Sequence, residues 1–157
     1  TGNVEMHMEA CDAAVMISQV VGEYQDKLQA QDIEIVVNEA KNPANIMADG
    51  RHLWRVFDNI MSNICKYTQD HTRVYVNVED AGDQVRMIFK NISKYPLNIS
   101  SDELMERFVR GDASRNTEGH GLGLSIASSL TALMDGQLTI DIDGDLFKIT
   151  VAMKKQA

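Results

Sequence analysis

Residues 51–68 constrain the fold more than any other segment of this sequence. Apolar side chains recur there at intervals of three and four residues, which is typical of a helix with one buried face. Asp49, just before the segment, is a good N-cap for such a helix. The apolar stripe consists of Leu53, Val56, Phe57, Ile60, Met61 and Ile64. We therefore expect a helix over about residues 51–68 that packs this stripe into a core.

Further helices are expected on both sides of this one. Apolar residues at helical spacing predict a helix over residues 13–30. Another helix is expected from about Leu122 to Met134, before an Asp-Gly stop signal. A capping box formed by Ser100 and Glu103 predicts a short helix that ends near Phe108. The chain is thus expected to be rich in amphipathic helices.

The segments between the helices have the character of short strands. β-Branched and extended runs predict single strands, and alternating runs joined by glycine-bearing turns predict two hairpins. The single strands cover residues 33–37 and 46–48, and the hairpins join 73–79 to Val85–Phe89 and Leu138–Ile142 to Phe147–Met153. The elements predict an α+β fold, a two-layer α/β sandwich whose mixed, mainly antiparallel sheet is covered on one face by three helices.

The composition fits a single domain without a nucleic-acid interface. The chain has 157 residues, of which 15 are basic and 23 acidic, for a net charge of −8. Such a surface repels phosphate backbones and no basic stripe offsets it, so no nucleic-acid partner is expected. Cys11 and Cys65 lie far apart and form no metal-ligand cluster. We expect one domain over residues 1–157, with residues 1–10 as a remnant of a linker or tag.

The predicted helix over residues 51–68 also carries a polar face. At about 100° per residue, Asn59, Asn63 and Lys66 fall on one side of it, next to the apolar stripe. Amide oxygens are hard ligands that suit Mg²⁺, and a lysine ammonium is a point charge that suits phosphates. From these residues alone, the face is either a site for a hydrated metal and phosphates or an ordinary solvated surface.

A glycine-bearing stretch stands directly ahead of the third predicted helix. Residues 119–124 read Gly-His-Gly-Leu-Gly-Leu. Backbone without side chains can approach a polyphosphate closely, and free N–H groups at a helix start favour anions. The stretch is neither a Rossmann fingerprint nor a Walker A loop, because their required glycine spacing and Gly-Lys-Ser/Thr sequence are missing. It is therefore either a phosphate-binding turn or a plain hinge.

The order of these features along the chain is similar to that of sensor histidine kinases. Asn59, Asn63 and Lys66-Tyr67 resemble the N box of that family. Glu-Arg-Phe-Val-Arg over residues 106–110 resembles the F box, and the run over 119–127 resembles the second glycine box. The resemblance covers nearly the whole chain. It implies the Bergerat fold, which histidine kinases share with gyrase and Hsp90, and a catalytic domain that binds ATP and Mg²⁺.

By this resemblance, the N-box residues form the phosphate and metal end of the site. Asn63 resembles the Mg²⁺ ligand of the family, and Asn59, one turn earlier, would lie beside the phosphates or their water. Lys66 resembles the basic residue that contacts phosphate, and Tyr67 the ring that packs near adenine and ribose. Together with Arg110, Asn59 and Lys66 make up the implied catalytic set.

The resemblance further implies a nucleotide-dependent lid over residues 110–120. Phe108 resembles the aromatic residue that anchors the lid, and Arg110 resembles the arginine that reaches the γ-phosphate. The glycines of the next stretch resemble the lid hinge and the phosphate-side turn. The implied nucleotide contacts there are Gly119, His120, Gly121, Leu122, Gly123 and Leu124.

The adenine end departs from the family pattern. The first glycine box normally supplies an Asp that accepts a hydrogen bond from the adenine amino group, followed by glycines. Here residues 89–99 contain no glycine, and Asn91 stands at the strand end where the Asp would be. Its carboxamide oxygen can still accept from adenine, as a neutral and weaker acceptor. Asn91 is therefore expected to bind the base, and a rearranged adenine site is the alternative.

The phosphoacceptor is expected outside this chain, because none of the four histidines is followed by Glu or Asp. The resemblance thus implies donation of the γ-phosphate to a histidine in a separate dimerisation domain, with a response regulator as a further partner. It also implies a cytoplasmic domain of a membrane-anchored bacterial kinase, monomeric as a fragment and homodimeric when intact. The alternative function is a nucleotide-binding regulatory module of the same fold that has lost catalysis.

Overall fold

A computed structural model describes residues 4–42, 44–97 and 120–156, with side chains in the last segment from residue 123 onward. The helices in these segments are α1 (Ala13–Ala30), α2 (Gly50–Tyr67) and α3 (His120–Leu133). The strands are β1 (Glu9–Asp12), β2 (Glu34–Asn38), β3 (Asn45–Ala48), β4 (Arg73–Ala81), β5 (Gln84–Ile92), β6 (Gln137–Asp143) and β7 (Leu146–Lys154). No helix within these ranges is both long enough and apolar enough to cross a bilayer.

Five of the strands form one mixed sheet in the order β2-β4-β5-β7-β6. β2 runs parallel to β4, whereas the β4–β5, β5–β7 and β6–β7 pairs are antiparallel. The parallel pair arises because β2 and β4 are joined through β3 and helix α2, which cross over one face of the sheet. The predicted α+β sandwich, with helices on one face of a mainly antiparallel sheet, is confirmed.

Helix α2 lies at the centre of the helical layer, between α1 and α3. The six residues of its predicted apolar stripe are all at most 1% exposed. The ring of Phe57 packs against that of Phe89 in β5, with ring centroids 5.9 Å apart. Because Phe89 lies two residues before Asn91, this contact sets the spacing between α2 and the end of β5. The predicted core face of α2 is confirmed.

A second, two-stranded sheet forms beside the main sheet. β1 pairs antiparallel with β3, from Glu9 opposite Ala48 to Asp12 opposite Asn45. The side chain of Asp12 then accepts a hydrogen bond from the amide of Val15 at 3.2 Å and caps α1. Residues 9 and 10, which fall within the predicted linker or tag remnant, are therefore paired strand residues.

The buried carboxylate of Asp49 joins the amino-terminal segment to the start of α2. One of its oxygens accepts from the amides of Arg51 and His52 at 3.1 and 3.2 Å, as the predicted N-cap requires. The other accepts from the amide of His7 at 2.8 Å. These hydrogen bonds, the one from His7 foremost, hold the pKa of Asp49 below its ordinary value of 3.8.

Replacing Asp49 with alanine is expected to lower the free energy of unfolding by about 1–2 kcal/mol, because three amide N–H groups lose their acceptor. Urea unfolding followed by circular dichroism measures this loss. The matched variant Asp49→Asn keeps one acceptor oxygen and is expected to fall between alanine and the native residue.

The difference in unfolding free energy between the native protein and Asp49→Asn should depend on pH. Because the folded pKa is depressed, the stabilisation by the Asp49 carboxylate is present above its ordinary pKa of 3.8 and is lost as the pH falls below that value. The stability difference between the native protein and Asp49→Asn should therefore shrink below about pH 4. A difference that stays constant through that range would contradict this account.

Candidate functional site

The polar face of α2 is assembled as the sequence predicts. Asn59, Asn63 and Lys66 lie within one continuous helix, so the two amides are stacked one turn apart with the ammonium beside them. Asn59 and Asn63 are partly buried, and Lys66 is exposed. Within the described ranges, no residue forms a hydrogen bond or ion pair with these three side chains. Their amide oxygens and ammonium are therefore not used to join the described helices and strands to one another.

Helix α1 fixes α2 from the adjoining side. The hydroxyl of Tyr24 donates to the carboxylate of Asp58 at 2.5 Å, and the side-chain amide of Gln31 lies 3.5 Å from the carbonyl oxygen of Cys65. Burial, followed by the hydrogen bond to Asp58, raises the pKa of Tyr24 above its ordinary value. Asp58 and Cys65 are the direct chain neighbours of the first and last members of the polar face. The contacts therefore restrain the rotation of α2 about its axis.

This restraint on α2 is not predictable from the sequence. Tyr24 occupies a helical position that the periodicity assigns to the core, and nothing in the spacing of residues 13–30 indicates which helix it contacts. A tyrosine in an otherwise aliphatic stripe is a weak signal of a buried polar partner, since its hydroxyl needs a hydrogen bond.

The end of α2 is joined to the end of β5. Thr68 and Ser93 form an isolated antiparallel bridge. The amide of Gln69 donates to the carbonyl oxygen of Ile92 at 2.8 Å, and the amide of Lys94 donates to that of Tyr67 at 2.8 Å. Asn91, which is 4% exposed, donates from its side-chain nitrogen to the hydroxyl of Thr68 at 3.0 Å. The structure therefore brings Asn91 to the carboxyl-terminal end of the helix that carries Asn63 and Lys66.

A serine supports the turn that follows β5. The hydroxyl of Ser93 donates to the carbonyl oxygen of Tyr95 at 2.7 Å and accepts from the amide of Tyr95 at 3.2 Å. The amide of Ser93 donates to the carbonyl oxygen of Asp145 at 2.8 Å. Side-chain hydrogen bonds of this kind stabilise turns without glycine. They stabilise the bend at residues 94 and 95, where the family pattern has glycines.

Helix α3 begins at His120, two residues earlier than predicted. The backbone of His120, Gly121, Leu122 and Gly123 thus forms the first turn of the helix rather than a loop ahead of it. Amide N–H groups in a first turn have no partner within the helix and favour anions. A β-carbon added at Gly123 would meet no atom within 4 Å, so this glycine is not required by packing. Leu124 is 1% exposed and belongs to the core, so any contact it makes with a ligand uses its backbone.

The remaining predicted site residues lie outside the residues that the structure describes. They are Phe108, Arg110 and Gly119, together with the predicted short helix that ends near Phe108 and residues 110–119 of the predicted lid. Their assignment stays a prediction of the family resemblance.

Comparison with known proteins agrees with this geometry. Residues 48–156 match the model of the histidine kinase-, DNA gyrase B-, and HSP90-like ATPase family. The chain is 35% identical over 112 residues to a probable sensor protein, PcoS, of Escherichia coli, covering 69% of this chain and 24% of that protein. It is 30% identical over 129 residues to the sensor protein VanS of Enterococcus faecium, covering 81% of this chain and 33% of that one. The chain thus spans about a quarter to a third of the length of these relatives.

Solved structures show the same fold at lower identity. The catalytic domain of the histidine kinase ThkA, in a nucleotide-free form, superposes with a TM-score of 0.84 at 20% identity, covering 97% of this chain and all of that one. Full-length ShkA in complex with AMPPNP superposes with a TM-score of 0.80 at 22% identity, covering all of this chain and 33% of that one. The chain belongs to the histidine kinase-, DNA gyrase B- and HSP90-like ATPase family, and its fold is that of the catalytic domain of the histidine kinase ThkA.

Proposed function

We propose that this domain binds ATP together with Mg²⁺ and donates the γ-phosphate to a histidine outside the 157-residue chain. The observation that carries the proposal is the polar face of α2. Two carboxamides and an ammonium are held on one face by a helix whose rotation is restrained, and no described residue engages them. A fixed set of unengaged polar groups next to a core suits a ligand that supplies the missing partners.

The donor chemistry of this face suits a hydrated divalent cation. Asn63 would hold Mg²⁺ through its amide oxygen, and Asn59, one turn earlier, would bind the phosphates or a metal-bound water. Mg²⁺, when bound, supplies charge neutralisation to the phosphate oxygens. Lys66 and Arg110 add fixed positive charge at the same end, and the amides of the first turn of α3 add N–H donors. The backbone could approach the phosphates closely at three residues that carry no side chain, Gly119, Gly121 and Gly123.

The base would bind at the other end of the site. The oxygen of Asn91 would accept a hydrogen bond from the exocyclic amino group of adenine. Tyr67, which directly precedes Thr68 at the end of α2, would pack near the base and ribose. Phe108 would anchor a lid over residues 110–120. The proposal is supported by the short backbone connections between residues 67–69 and 92–94, which hold the two ends of the site together.

The polar face contains no general base. Asn59 carries an amide, which cannot take a proton from water or from a hydroxyl group. A neutral histidine is already a nucleophile and needs no such help. Transfer to histidine therefore fits these residues better than hydrolysis does.

The names of the relatives support a role for this domain within a larger sensor protein. PcoS and VanS are described as sensor proteins, and ShkA was solved with an ATP analogue. We propose a cytoplasmic domain of a membrane-anchored sensor kinase, with a dimerisation domain that carries the acceptor histidine and a response regulator as partners. The intact kinase would be a homodimer and this domain alone a monomer.

A second function follows from one observation. The turn after Asn91 is built by Ser93 and not by glycines, which changes the adenine end of the site. If that change prevents productive binding, the domain would be a regulatory module of the same fold without catalysis.

Titration of the 157-residue chain with a fluorescent ATP analogue, with and without Mg²⁺, separates the two functions. Binding tighter than about 1 mM that strengthens with Mg²⁺, followed by labelling of a histidine-bearing acceptor domain from radioactive ATP, is the expected result. Binding without transfer to any such acceptor would favour the regulatory module. An affinity weaker than about 1 mM that Mg²⁺ leaves unchanged would overturn the proposal.

A further inference from the structure

We propose that Thr68 sets the base specificity of this site by fixing the side-chain amide of Asn91 in one orientation. The inference rests on the proposed function and extends it to a residue that has no assigned role. Thr68 is fully buried, and Asn91 is 4% exposed. Thr68 is thus a positioning residue, which acts on the nucleotide through Asn91.

The hydroxyl of Thr68 donates its hydrogen to a single acceptor. Its oxygen lies 2.6 Å from the carbonyl oxygen of Ile64, one turn earlier in α2. Two oxygens at that separation require a hydrogen between them, and a carbonyl has none to give. Thr68 therefore donates to Ile64, and towards Asn91 it can only accept.

The hydrogen bond from Thr68 to Ile64 determines whether the nitrogen or the oxygen of the Asn91 side-chain amide faces Thr68. The side-chain nitrogen of Asn91 lies 3.0 Å from the Thr68 hydroxyl and donates to it. A flipped amide would place two acceptor oxygens against each other and would leave a buried N–H donor without its acceptor. The oxygen of Asn91 consequently points away from Thr68, and among the described residues it has no hydrogen-bond partner.

An asparagine held in this way acts as an acceptor only. A free carboxamide can present either its oxygen or its nitrogen, so it can match a base with an amino group or one with a carbonyl group at position 6. With the nitrogen engaged by Thr68, only the oxygen is available. The site should therefore prefer 6-aminopurines over 6-oxopurines, as an aspartate would.

ATP is compared with ITP, which carries an oxo group in place of the amino group at position 6 and a proton on N1. Since the N1 difference is the same for every variant, a change of the ATP/ITP ratio on substitution of Thr68 reports the contact at position 6. Affinities are measured by displacement of a fluorescent ATP analogue in the presence of Mg²⁺. The native chain is expected to bind ATP at least about tenfold more tightly than ITP, which corresponds to about 1.4 kcal/mol.

Substitution of Thr68 tests the proposed restraint directly. Thr68→Val keeps the shape of the side chain but removes the hydroxyl, so the Asn91 amide can turn either way. The carbonyl of Ile64 still accepts from the backbone amide of residue 68, at 3.0 Å. The ATP/ITP affinity ratio is expected to fall to within about threefold of unity in this variant, corresponding to about 0.7 kcal/mol of remaining discrimination. Thr68→Ser keeps the hydroxyl and is expected to retain the native ratio.

The outcomes distinguish this inference from the function on which it rests. ATP binding without preference over ITP in the native chain overturns the role of Thr68 but leaves the ATP site standing. If Thr68→Val keeps the native ATP/ITP ratio, the role of Thr68 is likewise overturned and the ATP site stands. The ratio is the informative quantity, because a general loosening of the fold would weaken the binding of both nucleotides alike. Failure of the native chain to bind either nucleotide overturns the proposed function itself. If Thr68→Val does not fold, Thr68→Ala takes its place, with the same expected loss of discrimination.

Discussion

Replacing Asn63 with alanine is expected to lower the affinity for ATP in the presence of Mg²⁺ by about tenfold and the rate of phosphoryl transfer by about 100-fold or more. The amide oxygen of Asn63 is the proposed protein ligand of the metal. Charge neutralisation at the phosphates is worth more in the transition state than in the bound state, so the rate should fall further than the affinity. A 100-fold loss corresponds to about 2.7 kcal/mol.

The measurement compares two quantities across two variants. Binding of a fluorescent ATP analogue is titrated with and without Mg²⁺, and labelling of a histidine-bearing acceptor domain gives the transfer rate. Asn38→Ala is the matched control, because Asn38 is an exposed residue of the edge strand β2 whose side-chain amide donates a hydrogen bond to Asn77, away from α2. It is expected to behave as the native chain does. If Asn63→Ala retains the full effect of Mg²⁺ on binding, Asn63 is not the metal ligand.

Replacing Phe57 with alanine is expected to lower the free energy of unfolding by about 3–5 kcal/mol. Phe57 is fully buried, and its ring packs against Phe89 across the boundary between the helices and the sheet. Truncation removes the transfer free energy of the ring and leaves a cavity that the surrounding helix and strand can fill only in part. Since domains of this size are stable by about 5–15 kcal/mol, this loss is a large fraction of the total.

Urea unfolding followed by circular dichroism measures this change. Tyr95→Ala serves as the control, because Tyr95 is 59% exposed and its hydrogen bonds to Ser93 use backbone atoms that alanine retains. That control should stay within about 0.5 kcal/mol of the native chain. A loss below about 1 kcal/mol for Phe57→Ala would mean that the packing between α2 and β5 is not as tight as the structure shows.

Helix α2 shows how much of the structure the periodicity of apolar residues can predict. Its bounds, its N-cap, its buried stripe and the polar face beside that stripe were all predictable from residues 49–68. Each of these features depends on positions three or four residues apart, which a helix places side by side whatever the rest of the chain does. The two predicted hairpins are confirmed for the same reason, because turn residues and alternation are local signals.

Strand β1 shows where local signals fail. Its sequence, Glu-Ala-Cys-Asp, has no alternation of apolar and polar residues, and three of its four residues are exposed. The strand exists because β3 offers it an edge and because the buried Asp49 carboxylate holds the preceding segment through the amide of His7. Neither partner is near it in sequence, so no window of residues 4–12 contains the information.

The start of α3 is an intermediate case. Glycine has a low helix propensity, so a stretch with three glycines in five residues favours a loop. The helix nevertheless begins at His120 and includes two of these glycines. Burial of Leu124, Ala127 and Leu130 anchors the following turns in the core and outweighs the local preference.

By itself, the sequence determined α1, α2, α3 apart from its first residues, the two hairpins and the polar face of α2, because these depend on contacts between near neighbours in the chain. It also carried the order of motifs that identifies the family. Only the tertiary structure decided that β2 lies parallel to β4, that Tyr24 restrains α2 through Asp58, and that Thr68 holds the amide of Asn91. These three depend on pairs of residues more than 20 positions apart. Their partners are chosen by the packing of the whole core, since many residues along the chain could satisfy the same hydrogen bond equally well.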